Sequence, residues 1–143
     1  ERVIIEKKTE HDFLQDIKVS GNGKYVVTFD QNGKIVVYES FSLNTIWSLT
    51  PTDYMTDIDI SPNGKWIGYL TGDSLAYLLD WQNSNEPIEL VKHKKQVSAI
   101  TFDPTKNFVW TGGRDSMIYH WNLSTMKMRT WYKESAQVYS IGL

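Results

Sequence analysis

The sequence predicts an all-β fold: a tandem array of four-stranded antiparallel blades. Three observations predict it. The chain repeats itself, with Ile17, Ile58, Ile100 and Ile141 spaced 41, 42 and 41 residues apart. A period of about 40–45 residues is that of four-stranded propeller blades. Each period holds short runs of Val, Ile, Tyr, Trp and Phe, which suit a pleated, half-buried surface. The runs are split by Gly-, Asn- and Asp-containing turn signals. No window carries apolar residues at i, i+3, i+4 and i+7, so no helix is expected.

The elements follow in order. Residues 2–10, within a leading segment 1–11, read as the outer strand of a preceding blade. A first full blade spans 12–50, with strand runs Tyr25–Phe29 and Ile35–Tyr38. Its turns are Ser20-Gly21-Asn22-Gly23-Lys24 and Gln31-Asn32-Gly33. A second blade spans 53–92, with runs Trp66–Leu70 and Leu75–Leu79 and turns Ser61-Pro62-Asn63-Gly64-Lys65 and Gly72-Asp73-Ser74. A third spans 95–134, with runs Phe108–Trp110 and Met117–Trp121 and turns Asp103-Pro104-Thr105-Lys106-Asn107 and Arg114-Asp115-Ser116. Residues 137–143 read as the first strand of another blade. Asn-Gly supplies the positive φ that tight hairpins need, so antiparallel neighbours are expected. Columns align across the repeats: Thr28, Tyr69 and Thr111; Asn32, Asp73 and Asp115; Tyr38, Leu79 and Trp121.

The stretch Trp110-Thr-Gly-Gly-Arg-Asp-Ser-Met-Ile-Tyr-His-Trp-Asn-Leu123 is the clearest copy of the unit. With His93 upstream, Val97 four residues later and Trp121 six after Asp115, it resembles a WD repeat. The period extends the resemblance over the chain, as a segment of a WD-repeat-type β-propeller. Three blades and two loose strands fall short of the ~4–8 blades of closed propellers. The expectation is a piece of a larger propeller, with the remaining blades as its nearest partners.

The resemblance implies a buried chain of His93, Thr111, Asp115 and Trp121 within one blade. The chemistry is consistent. A buried indole N–H needs an acceptor, a Thr hydroxyl can accept and pass on, and a His joins hydroxyl to carboxylate. These types also serve catalysis, but Thr111 falls mid-strand rather than on an exposed nucleophile elbow. The set is therefore read as structural. The other blades lack it. The first has Glu10, Thr28, Asn32 and Tyr38 at these columns, and the second Pro51, Tyr69, Asp73 and Leu79. There, Asn32 and Asp73 are expected to cap their own turns.

Composition bounds the function. The 143 residues carry a net charge near −2, 41% hydrophobics and 13% aromatics, which marks a globular chain. No apolar run approaches the ~18–20 residues of a membrane span. There is no cysteine, which removes disulfides and thiolate chemistry. An intracellular location, cytoplasm or nucleus, is expected. Asp57 and Asp59 share a strand face, as Asp12 and Asp16 pair at wider spacing. Without a third ligand they read as solvated or turn-pairing carboxylates rather than a metal site. His11, His93 and His120 lack zinc spacing, and His120 is expected to face away from Trp121, toward solvent or the next blade. Neither metal nor cofactor is expected. Lys92-His93-Lys94-Lys95 is one basic loop, not the broad positive face of a nucleic-acid binder.

In propellers of the resembled family, partners dock on the face made by the loops leading into each first strand and by the turn between strands two and three. By position these are Phe13, Tyr54, Gln96 and Gln137, with Gln31, Gly72 and Arg114 on the turns. Phe13, Tyr54 and Arg114 are anchor types, although Phe13 and Tyr54 can also pack between blades. Trp47 and Trp131 fall on the outer rim. The function expected is a non-catalytic protein–protein interaction scaffold within a multiprotein assembly. An enzymatic or ligand-binding propeller, lactonase-like or peptidase-associated, is the alternative. A weaker one is an RNA scaffold through Lys92, Lys94 and Lys95.

Overall fold

The computed structural model describes Lys8 and residues 13–133 and 135–142. Among these residues, twelve strands form three sheets. The first holds β1 (Leu14–Val19), β2 (Tyr25–Asp30), β3 (Ile35–Glu39) and β4 (Thr45–Leu49). The second holds β5 (Met55–Ile60), β6 (Ile67–Thr71), β7 (Leu75–Leu79) and β8 (Ile88–Lys92). The third holds β9 (Val97–Phe102), β10 (Phe108–Gly113), β11 (Met117–Asn122) and β12 (Lys127–Lys133). Each sheet is an antiparallel meander in chain order, as a blade requires. The described residues contain no helix. The expected strand at 2–10 lies outside the described residues.

The blades share irregularities as well as strands. The first two strands of every blade slip register once, between Leu14 and Asp16, Met55 and Asp57, and Gly112 and Gly113. Such bulges add twist and re-aim side chains at a sheet rim.

The turn between the first two strands is longer than a two-residue hairpin. It runs from Ser20 to Lys24, and the Asn side chain closes it. Ser20 Oγ donates to Asn22 Oδ1 (2.7 Å), and Lys24 N–H donates to the same oxygen (3.0 Å). Ser61, Asn63 and Lys65 repeat this at 2.8 and 3.0 Å. Gly23 and Gly64 supply the left-handed residue at φ +70° and +75°, which a Cβ disfavours. In the third blade Asp103 Oδ1 takes the role, accepting from the N–H groups of Thr105 and Lys106 at 2.9 Å each.

The core lies between blades. Val27, Phe29, Ile35 and Val37 of the first meet Met55, Ile58, Ile60, Ile67 and Leu79 of the second. Leu70, Ala76 and Leu78 on the second blade's other face meet Val97, Ile100, Phe102 and Val109 of the third. Because side chains alternate along a strand, β6 sends Ile67 and Tyr69 one way and Leu70 the other. Both faces of the middle blade are thus covered. Gly68 lets the third blade close in, since a Cβ there would sit 2.8 Å from Ile100 Cδ1.

Residues 137–142 join no sheet, contrary to the strand expected there. They lie along the third blade. Val138 N–H donates to Gly113 O (3.2 Å), and Ser98 Oγ donates to Val138 O. A strand needs a ladder partner, and among the described residues no further strand follows to supply one.

Candidate interaction face and the His93 network

His93 sits between β8 and β9 and is fully enclosed. Its Nδ1 lies 2.9 Å from Asp115 Oδ1 and its Nε2 3.1 Å from Thr111 Oγ1. The carboxylate only accepts, so Nδ1–H donates to it. In the neutral ring, Nε2 then accepts from the Thr111 hydroxyl. Asp115 also accepts from Lys94 N–H (2.9 Å) and Met117 N–H (3.2 Å). Burial works to raise the Asp115 carboxyl, but the bonds from His93 and Lys94 outweigh it and hold it below the usual carboxylate range. Gly113 is required here, because a Cβ would fall 2.5 Å from His93 Nδ1.

Trp121 does not join this chain. Its indole Nε1 is buried without a hydrogen-bond partner. Register explains why. Thr111 lies opposite Tyr119, and Trp121 opposite Val109, two residues along. The ring against His93 is therefore Tyr119, edge-on at 4.7 Å, and Trp121 packs on the apolar core between the second and third blades.

His120 corrects another expectation. It is covered by its own blade, stacked on Trp110 at 4.6 Å and edge-on to Phe108 at 4.3 Å. Burial, with Arg129 nearby, pushes its pKa down.

Asp57 and Asp59 are half-buried, and they pair with a strand of the next blade rather than with a turn. Their Oδ2 atoms accept from the N–H groups of Ile100 (3.2 Å) and Phe102 (2.8 Å) on β9 of the next blade. Burial raises both carboxyls, against these bonds and the nearby Lys18 ammonium. The pair fastens two blades by side chain to backbone. Alternation showed that they share a face, but only the packed blades show what they meet. Among the described residues, no cluster of three or more His, Cys, Asp and Glu could hold a metal. Asn32 is not the residue that closes its turn. Asp30 Oδ1 does so, accepting from Asn32 N–H (2.9 Å) and Lys34 N–H (3.0 Å). Asp73 accepts from Thr71 Oγ1 at 2.7 Å. Trp47 bridges blades, donating to Asn85 Oδ1 at 3.1 Å. Glu10, His11 and Asp12, and the side chains of Lys92 and Trp131, lie outside the described residues.

The loop positions come together in pairs. Gln31 N–H donates to Phe13 O (3.1 Å), Gly72 N–H to Tyr54 O (3.0 Å), and Arg114 N–H to Gln96 O (2.9 Å). One backbone bond in each blade thus ties the residue before the first strand to the turn between strands two and three. Phe13 is 62% exposed and Tyr54 66% exposed, although Tyr54 has a blade on each side. Arg114 places its guanidinium 5.8 Å from the centre of the Tyr139 ring. The Tyr139 hydroxyl donates to Gln137 Oε1 at 2.9 Å.

Comparison with known proteins agrees with this architecture. The family described as "WD domain, G-beta repeat" matches residues 85–122. No curated protein matches the sequence. Among solved structures, that of U3-55K superposes with a TM-score of 0.76 at 13% identity, over 90% of this chain and 42% of that one. The Dos1 propeller gives a TM-score of 0.80 at 17% identity, over 90% and 36%. The RRP9 WD40 repeats give 0.66 at 18%, over 81% and 36%. The chain spans less than half the length of each. Residues 85–122 thus match a WD repeat, and the three four-stranded sheets have the fold of a partial β-propeller.

Proposed function

We propose that the chain is a non-catalytic interaction scaffold that docks protein partners, within a multiprotein assembly, on the rim holding Phe13, Gln31, Tyr54, Gln96 and Arg114. Proteins of this family are generally interaction scaffolds. The observation that carries the reading is the triplet of equivalent hydrogen bonds from Gln31, Gly72 and Arg114, which fixes one rim position in every blade. Two of those positions present exposed aromatic rings. Exposed anchors on a rigid frame are what a docking face needs. An enzymatic reading finds less support, since Asp57 and Asp59 already bind backbone N–H groups of β9. The absence of cysteine suits a reducing, intracellular compartment.

The test changes Phe13, Tyr54 and Arg114 singly to Ala and measures both capture of partners and thermal stability. Loss of a true anchor costs about 2 kcal/mol or more of binding while stability holds. Stability loss with binding retained would remove the docking face. Hydrolytic turnover abolished by changing Asp57 or Asp59 would favour an enzyme instead.

A further inference from the structure

The second blade lacks the histidine that fills the third. In the repeat alignment Pro51 stands where the third blade has His93, Tyr69 where it has Thr111, Asp73 where it has Asp115, and Tyr77 where it has Tyr119. The consequence is a groove of about 280 Å³ lined by Pro51, Asp53, Tyr69, Thr71, Tyr77 and Asn85, with four neighbours. That volume is at the small end for ligand sites and suits one side chain rather than a larger molecule.

Two independent features mark it as a binding site. Tyr69 at its floor is only 2% exposed, yet no group among the described residues hydrogen-bonds its hydroxyl; burial and the nearby Tyr77 and Asp53 account for its raised pKa. Tyr69 lines the groove, so its unbonded hydroxyl is available to an occupant. The second feature is charge. Asp73, Glu89 and Asp53 all act on Tyr77, and no Lys or Arg lines the groove. Tyr69 and Tyr77 stack at 5.2 Å and 23°, giving an aromatic wall beside Asp53, the one charged residue of the lining.

We propose that this groove between the first and second blades binds an arginine side chain from a partner protein. The third blade shows the geometry that is missing. There the planar His93 ring meets Tyr119 edge-on and bonds the Thr111 hydroxyl and the Asp115 carboxylate. A guanidinium is also flat, can lie against Tyr77, and carries donors for the Tyr69 hydroxyl at the floor and the Asp53 carboxylate at the mouth. An ammonium is a compact, strongly hydrated point charge and cannot reach both while covering the ring. The site goes beyond the docking rim and does not depend on it.

The probe is N-acetyl-arginine amide, titrated into the protein carrying ¹³C-labelled tyrosine and followed by NMR, with the lysine and alanine amides as controls. Saturable shifts of the Tyr69 and Tyr77 ring signals with the arginine probe, and at least about threefold weaker binding of the lysine probe, are expected from the planar fork. Asp53→Asn, at an exposed carboxylate, weakens arginine binding by about 2–5-fold, as for other exposed ion pairs. Pro51→His restores the ring that the third blade has and abolishes the shifts. If the melting temperature shows that Pro51→His disturbs the fold, Tyr77→Leu replaces it, with an expected loss of about 2–5-fold from the missing cation–π contact. No saturable shift, equal binding of lysine or alanine probes, or full binding by Asp53→Asn together with Pro51→His or Tyr77→Leu would overturn the assignment.

Discussion

Asp115 ties the loop leading into β9 to the turn between β10 and β11. Its side chain is 5% exposed, and it accepts from His93, Lys94 and Met117. Asp115→Ala leaves those donors without their acceptor, so we expect a loss of about 1–3 kcal/mol in denaturant unfolding. The pH dependence has a definite sign. A carboxyl held low in the folded state contributes stability above its ordinary value of 3.8 and loses it as pH falls through the depressed value. His120 acts at higher pH. Its pKa is pushed below the ordinary 6.5, so the unfolded chain takes up the proton first and stability falls as pH drops through 6.5. Replacing it, His120→Phe, is expected to flatten the decline in melting temperature between about pH 7 and about pH 5, the range in which histidine titrates. An unchanged slope would assign the decline to other groups.

At the scale of the element, the turns separate two costs that are usually entangled. Gly23 and Gly64 are repeat-equivalent and share the same left-handed backbone. A Cβ on Gly23 meets nothing within 4 Å, whereas one on Gly64 falls 2.3 Å from Tyr25 Cδ2. Gly23→Ala should therefore cost only the backbone term, about 1–2 kcal/mol. Gly64→Ala must in addition displace Tyr25 from its edge-on contact with Trp81 at 5.1 Å, and is expected to cost more in the same urea titration. Equal losses would show that Tyr25 yields freely. The blade strands were legible in the sequence, because β-branched and aromatic runs between turn residues encode them locally. What local reading could not supply was how the five-residue turn closes, with Asn22 Oδ1 accepting from both Ser20 Oγ and Lys24 N–H. Nor could it place Trp121, whose distance from Thr111 depends on register. Least legible was Asp57 with Asp59, whose partners Ile100 and Phe102 lie 43 residues away on another blade.

For the whole molecule, the repeat itself states what each blade must touch. Ile58 and Ile60 on β5, and Ile100 and Phe102 on β9, are buried against the blade before them. Their equivalents on β1 are Ile17 and Val19, which are 54% and 59% exposed, with Leu14 beside them. Among the described residues nothing covers this face. An apolar sheet face in water is an invitation to association, and one that matches two buried faces in the same chain has the shape of a blade's partner. The surface therefore fits the remaining blades of the propeller, or a second copy standing in for them. The 143-residue chain on its own is expected to associate in sedimentation velocity in a concentration-dependent way. The double substitution Ile17→Lys and Val19→Lys should return it to monomer without loss of β signal in circular dichroism, because among the described residues nothing packs on either side chain. Where the face is covered by a further blade, the same pair places two ammonium groups in an apolar interface and should unfold the protein. A clean monomer from the unaltered chain would show that this face is satisfied in some other way.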